Sequence, residues 1–548
     1  MGDFVVNDKL KEMSEKTSTS RCLYKSNPDK LNRGLSSLTS AIEYVLSDDY
    51  KKSYLESLTK AGVASFNTIF KIEGAVAEAA KTAEHYANED WFQTILTISD
   101  NIRRDFEYHD TRDQELIYYR VDTVLLVSLL SMMAGYYDSM SIADFWLYFN
   151  PFLQLLIPGM PSAKHMITAE TIRVVFKIAP PDIIEDFYRT YFSGRAIDVQ
   201  NMKDYFKESP VLAGTEQPRV FAMDGQEVRA SYRAGESNRK KKGAQQVSIM
   251  DAKARTVVAF KTVQKKNQED KAAIEMLSKL AIAVRENIVF MADAINTKVS
   301  FIKFLDDNNI PYLLPFKTNC GNKNLKDESD KFFNSNKDTI LQLETICDNN
   351  HGRNDCMKFY MFPAAKLPEE CRKKYPEVKS IVVYEKTSQK VIKKRSSIVD
   401  DETVDNKQEQ KVTHSVHYYL SVRECDETAL KECASAIRCY WKIESHHNTL
   451  DTIMMQDRIN ACDKHHLSLR LNLNKIVYNT LSYIRQEGQN PWNRGGNNRP
   501  MTFSHANRLC ANDLFFAMRM IVEYFQKSVA DIQEKKKIPT VIKATPLD

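Results

Sequence analysis

The chain has 548 residues, enough for several domains and a large buried core. Lys plus Arg number 77 against 72 Asp plus Glu, a net charge of +5, so any nucleic-acid affinity has to come from local basic patches rather than from the charge of the whole. The ten cysteines contain no Cys-x-x-Cys pair and fit neither a disulfide framework nor a standard zinc finger, which points to free thiols in a reducing compartment.

The N-terminal residues Met1-Gly2-Asp3-Phe4-Val5-Val6 lack the basic start and apolar stretch of a signal peptide. The longest apolar segment, residues 124–135, is too short to span a bilayer and reads as a buried helix. The expectation is a cytoplasmic protein, nucleoid-associated if bacterial, with no membrane partner.

In chain order, residues 1–95 read as a helical extension with a possible DNA-binding role. A break at Ala61-Gly62-Val63 and a capping Ser65 leave a helix-turn-helix and an ordinary helical hairpin both open. Residues 96–212 stay helical, with Thr168 opening a capped helix. The period then changes to alternation over residues 219–228, 245–250 and 256–263, which predicts three strands, the first two separated by the basic loop Arg239-Lys240-Lys241-Lys242. A helix over 269–285, a strand over 287–292, a helix over 297–308 and a strand over 311–316 follow. A meander followed by alternating helix and strand predicts an α/β fold, a mixed sheet flanked by helices in the order an RNase H-like core uses. The expected core comprises 213–319 and 414–486. Residues 320–413 read as an insertion with short strands and a flexible loop over 396–410, placed before the last catalytic helix, which the pattern predicts over 427–450. Residues 487–548 read as a Gly/Asn/Pro-rich linker and one amphipathic helix over 505–535.

Two apolar strand-like runs lead into an aspartate, Val220-Phe221-Ala222-Met223-Asp224 and Ile288-Val289-Phe290-Met291-Ala292-Asp293, and Glu444 lies in the later helix. Two strand aspartates and a helical glutamate suit a two-metal phosphoryl-transfer site. There, two Mg²⁺ ions roughly 3.5 to 4 Å apart neutralise the attacking and leaving oxygens, and hard oxygen ligands suffice. On a continuous helix Tyr440, Glu444, His447, Asn448 and Asp451 share one face and would look into the site together, with Tyr440, His447 and Asn448 as DNA-contact candidates. Arg229, Lys317 and Arg438 are candidates for DNA-backbone contact, although ion pairs with the acids would look the same in sequence. Lys240 and Lys241 are candidates of the same kind, with a solvated loop as the alternative. Trp441 reads as core packing.

These strings resemble the DDE transposases of the ISAs type, the insertion-sequence group that includes the H-repeat-associated proteins. The resemblance rests on Asp224-Gly225-Gln226 with Arg229, Lys265-Lys266-Asn267-Gln268, Asp293-Ala294, Lys317-Thr318-Asn319, and Arg438 with Trp441, Ile443 and Glu444, all in one order. It departs at Tyr440 and Ser445, where the family usually has histidine and asparagine. It implies that Asp224, Asp293 and Glu444 are the catalytic and metal-binding acids, with Lys266 and Asn319 added to the DNA-contact candidates. It further implies two Mg²⁺ ions, with Mn²⁺ as a substitute. The partners would be double-stranded DNA, as element ends and target, and further copies of the chain in a homodimer or larger synaptic complex. The activity expected is strand cleavage and strand transfer at the ends of its own insertion sequence. A transposase-derived DNA-binding protein without transposition activity is the alternative.

Overall fold

The computed structural model describes residues 38–62, 68–86, 91–113, 117–157, 159–194, 212, 219–231, 243–263, 268–280, 288–318, 322–350, 353–390, 412–461, 463–487 and 501–536. The chain divides into two compact units, and among the described residues no helix is long and apolar enough to cross a membrane.

The first unit runs up to Ile184 and takes in Asp463–Leu473 and Asn507–Glu523. Its described elements are helical. The apolar run expected at 124–135 forms the helix Val121–Met133, in which every residue is buried. Such a helix has no wet face for its polar side chains. Asp122 therefore takes the Arg120 guanidinium and the Ser99 hydroxyl, and Ser128 donates to the Val124 carbonyl at 2.7 Å. The helix Asp48–Lys60 stops where expected. Gly62, at φ +72°, turns the chain out of the helix in the left-handed region that glycine enters freely. Ser65 lies outside the described residues. Thr168 caps Ala169–Val175, its hydroxyl accepting from the Thr171 N–H at 3.2 Å.

The second unit comprises Glu185–Cys462, Asn474–Ala506 and the chain from Tyr524 on. Strands β1 (Arg219–Val228), β2 (Ala244–Asp251) and β3 (Thr256–Val263) form the expected antiparallel meander. Strand β4 (Ile288–Met291) lies parallel to β1 on its other side, giving the order β3-β2-β1-β4. A parallel bridge from Phe290 to Tyr312 brings β5 (Leu313–Phe316) alongside β4. The connecting helices are Glu269–Lys279 and Val299–Asp307. One apolar cluster packs Ala273, Leu277, Phe301 and Leu305 on one face of the sheet; another packs Leu430, Ala434, Ile437 and Ile443 on the opposite face.

The outer edge of β3 is covered. The Asn479 side chain accepts from the Val257 N–H at 2.9 Å, and its amide lies 3.2 Å from the Val257 carbonyl, which also accepts from the Tyr188 hydroxyl at 2.6 Å. At Val257 both backbone groups of this edge are thus taken up by side chains.

Three expectations need correction. Residues 320–413 hold a helix, Lys323–Asn336, and, besides the short strands β6 (Leu341–Gln342) and β7 (Ile346–Asn350), two long ones, β8 (Arg353–Pro363) and β9 (Ser380–Lys390); with β10 (Val412–Ser421) and β5 they form a sheet in the order β5-β10-β9-β8-β6, with β7 pairing to β8. The helix expected over 427–450 is two helices, Glu427–Tyr440 and Lys442–Thr452, broken at Trp441. The C-terminal helix is likewise two, Phe503–Asn512 and Leu514–Lys536, with the Asp513 carboxylate accepting from the Phe516 N–H at the junction. The loops at 239–242 and 396–410 and the linker at 488–500 lie outside the described residues.

Candidate active site

Register places the first two acids together. The β1–β4 ladder pairs Ala222 with Met291 as its last couple, and Asp224 and Asp293 each lie two residues further on. Asp224 still lies in β1 while Asp293 has just left β4, so the register brings the two acids to the same end of neighbouring strands, which run about 4.8 Å apart. Asp224 is not at a strand end, as expected from the sequence. Strand β1 continues to Val228, and only its pairing with β4 stops short of Asp224. The Asp224 carboxylate accepts from the Gly225 N–H at 2.8 Å, and Asp293 accepts from the Ala294 N–H at 2.6 Å while capping the short turn Ala294–Asn296.

Glu444 enters from the first turn of Lys442–Thr452. Burial pushes the Asp224 carboxyl up to about 7, with the charges of Glu269, Asp293 and Glu444 adding to the rise. Burial and the charge of Asp293 also raise Glu444, against a smaller opposing pull from Lys386. Asp224 thus feels the charges of both other acids, and Glu444 that of Asp293. Tyr440 backs them: its hydroxyl donates to the Met223 carbonyl at 3.3 Å, and burial with the nearby acids drives its pKa upward. His447 Nδ1 lies 3.5 Å from Asp224 Oδ2. Burial and the Lys475 charge lower His447 to about 3, so near neutral pH this is a neutral imidazole beside a carboxyl and not an ion pair.

Behind this cluster runs a buried polar chain that the sequence did not reveal. The Gln226 amide donates to Asp451 at 2.6 Å, the Gln456 amide to Gln226 at 2.9 Å and the Asn474 amide to Gln456 at 3.3 Å. Lys475 Nζ lies 3.3 Å from His446 Nε2, and burial lowers the lysine to about 7. Together these contacts tie β1, Lys442–Thr452 and the helix Lys464–Glu487 behind the acids.

A further acid was also missed. Glu269, only 3% exposed, opens the helix after β3 and accepts from the Asn296 amide at 3.0 Å. A Cβ on Gly225 would fall 2.4 Å from its Oε1, so any side chain there would have to push the Glu269 carboxylate aside. The position of Glu269 in a helix first turn is ordinary for an acid, which is why it drew no notice in sequence.

The other candidates are distributed differently. Arg229 is 78% exposed in its side chain and lies 3.4 Å from Asp457. Asn448 is exposed, as is Lys317, whose charge reaches His417. Arg438 is half-buried on Glu427–Tyr440. Lys240, Lys241, Lys266 and Asn319 lie outside the described residues. Trp441 is 48% exposed instead of packed in the core, with Lys386 Nζ 5.8 Å from its ring centroid.

Residues 215–480 match the family described as "Transposase DDE domain". The match supports a DDE transposase family. It spans just under half of the chain and contains all three acids. The curated proteins compared with the chain give no match. Among solved structures, a chain of the "Cryo-EM structure of piggyBac transposase synaptic complex with hairpin DNA (SNHP)" is similar at a TM-score of 0.32 and 8% identity, over 82% of each chain.

The donor chemistry of these three acids fits a hard divalent cation. The three acids offer oxygen ligands, and among the described residues no lysine or arginine forms an ion pair with them. Among those same residues, no group of three or more His, Cys, Asp and Glu stands in a closed metal-holding arrangement. Asp224 and Asp293 instead turn one oxygen each to a neighbouring backbone N–H.

Proposed function

We propose that the chain is a DDE transposase that cleaves and joins DNA strands at the ends of its own insertion sequence, of the ISAs and H-repeat-associated type, on an RNase H-like core. The observation that carries this reading is that Asp224 lies beside Asp293 in the strand register and feels the charges of Asp293 and Glu444, within the stretch that matches the transposase domain.

Asp224, Asp293 and Glu444 would hold two divalent ions, Mg²⁺ or in its place Mn²⁺. Bound there, the ions supply charge neutralisation on the attacking and leaving oxygens and acidify a bound water. In cleavage, a water oxygen bonds to phosphorus, the bond to the 3′ oxygen breaks, and that oxygen leaves as a 3′ hydroxyl. In joining, the hydroxyl oxygen bonds to a target phosphorus and displaces the target's own 3′ oxygen. One arrangement of acids serves both steps because each is an in-line displacement at phosphorus. Tyr440 and the Asp451–Gln226–Gln456 chain fix the strand of Asp224 and the helix of Glu444. Arg229, Lys317, Arg438 and Asn448, with Lys240, Lys241, Lys266 and Asn319, are the proposed DNA-backbone contacts. The proposed assembly is a homodimer or larger complex acting in the cytoplasm, at the nucleoid if the source is bacterial.

The test is cleavage and joining of a labelled duplex carrying the gene's flanking end, with Mg²⁺ or Mn²⁺. Metal-dependent cutting at that end by the wild type, lost in Asp293→Ala while the duplex is still bound, is the expected result. Tight binding without cutting by the wild type would instead make this a DNA-binding protein derived from a transposase.

A dependence on pH follows from Asp224. Its carboxyl must lose a proton before it can act as a ligand, so metal affinity should climb as pH rises through about 7. Calorimetric titrations of Mn²⁺ in buffers of different ionisation enthalpy should register proton release below that midpoint. A pH-independent affinity with no proton release would remove Asp224 from the ligand set.

A further inference from the structure

We propose that the sheet of β5, β10, β9 and β8, where it adjoins Glu444, is a binding surface for an unpaired stretch of the DNA strand being cut, with Lys317 and Lys386 taking phosphates and the Trp441 ring taking the face of a base; this rests on the transposase reading above.

Trp441 stands between the helices Glu427–Tyr440 and Lys442–Thr452, three residues before Glu444, and is 48% exposed. An indole left half in water contributes little of the burial free energy for which a tryptophan usually stands in a core, so folding does not account for this ring. Lys386 Nζ lies 5.8 Å from the ring centroid, and the Lys386 charge also acts on Glu444. Aromatic face, ammonium and third acid are therefore neighbours.

Lys386 is two residues from Tyr384 within β9, so both leave the same face of that strand. It is the face that receives the helix Glu427–Tyr440, because Tyr384 packs in one cluster with Leu430 and Ile437. His417, opposite Tyr384 on β10, stacks on its ring at 5.8 Å between centroids. Lys317, exposed and directly after β5, acts on His417, as do Lys386 and, from the helix Lys323–Asn336, Lys326. The charges acting on His417 are all positive, so the local potential favours an anion. Among the described residues no acid pairs with Lys317. Lys386 pairs with Asp355 at 2.7 Å, and an ammonium has three donors, so a phosphate can join it.

An aromatic face beside cations is the combination that holds a single strand, the base stacking on the ring while the backbone follows the positive charge. In a paired duplex the faces of the bases are already stacked on one another, so the Trp441 ring suits an unpaired base. An unpaired strand also suits the chemistry, since it can deliver a phosphodiester to a carboxylate as recessed as that of Asp224.

The experiment measures binding of the full chain, without divalent metal, to the gene's flanking end as a fully paired duplex and as one whose cut strand ends in a short run of unpaired thymines. Fluorescence anisotropy is read across a salt series, with thermal unfolding of each variant alongside. Trp441→Ala is expected to weaken binding of the frayed form by about 10-fold and of the paired form by less than about 2-fold, and Trp441→Phe, which keeps a ring, to recover most of the loss. Lys317→Ala and Lys386→Ala should each lower the slope of log K against log salt for the frayed form by about 0.7. Lys317→Ala, at an exposed position, carries the test if Trp441→Ala does not fold. No loss in Trp441→Ala, an equal loss on both forms, or an unchanged slope in both lysine variants overturns the assignment. If that happens while the wild type still cuts the end once Mg²⁺ is added, only this surface is reassigned. If the wild type binds neither form, the transposase reading falls with it.

Discussion

Changing Asp224 to asparagine is expected to lower strand cleavage by about 10³-fold, the equivalent of about 4 kcal/mol of transition-state stabilisation, while making the metal-free protein more stable above about pH 7. The first effect is loss of a ligand. The second is electrostatic, and its sign can be worked through. Asp224 has its carboxyl raised from 3.8 to about 7 by burial and by the charges of Glu269, Asp293 and Glu444, so the folded state holds the proton more tightly than the unfolded state. Stability is therefore full at low pH and falls as pH rises through that interval. Asparagine carries no charge and avoids the loss. Allowing for the partial exposure of the site, the gain should be on the order of 1–2 kcal/mol. Calorimetric melting across the neutral range, paired with a strand-cleavage assay, reads both effects. A variant that melts below the wild type in alkaline metal-free buffer would mean that the acids do not repel one another as described. Sites that hold mutually repelling groups for chemistry commonly lose stability by doing so.

The largest stability effect is expected from Asn479→Leu. One side chain lies within hydrogen-bonding reach of Val257 through both backbone groups, the Tyr188 hydroxyl at 2.8 Å and the Phe192 carbonyl at 3.3 Å. Leucine keeps the volume but strands the Val257 N–H in a buried setting and leaves the acceptors under-satisfied. With about 1–3 kcal/mol for each buried group left unpaired, a loss of about 3–4 kcal/mol is expected. Urea unfolding of the second unit is the measurement. A shift under about 0.5 kcal/mol would show that solvent or rearrangement replaces the lost bonds. The variant should also aggregate more readily, since β3 is the outer strand of its sheet.

The meander was legible because its strands alternate over apolar residues, and the strand expected over 256–263 has the bounds observed. The aspartates were legible because each follows an apolar run. Their alignment was not, since register depends on a long-range pairing that no local pattern encodes. Strands β8 and β9 were hard to read for a different reason. Their outer halves carry Asn354, Asp355, Thr387 and Ser388, a composition that resembles a loop until the strands pair with one another. Trp441 misled because a large aromatic residue is most often buried. Glu269 was hidden because the close approach that reveals its setting involves Gly225, more than forty positions earlier.

The junction at Trp441 keeps the aim of Glu444. Trp441 stays in the right-handed helical region, and Ala436, Cys439, Ile443 and Leu450, spaced as on one continuous helix, are all buried, so the apolar stripe runs through the joint. Glu444, one position beyond Ile443, is thereby carried to the exposed side, where the charge of Asp293 acts on it. Adding or deleting one residue at this junction would swing Glu444 by about 100° while leaving every acid in the sequence intact. The spacing of the joint is thus as much a part of the site as the carboxylate it delivers.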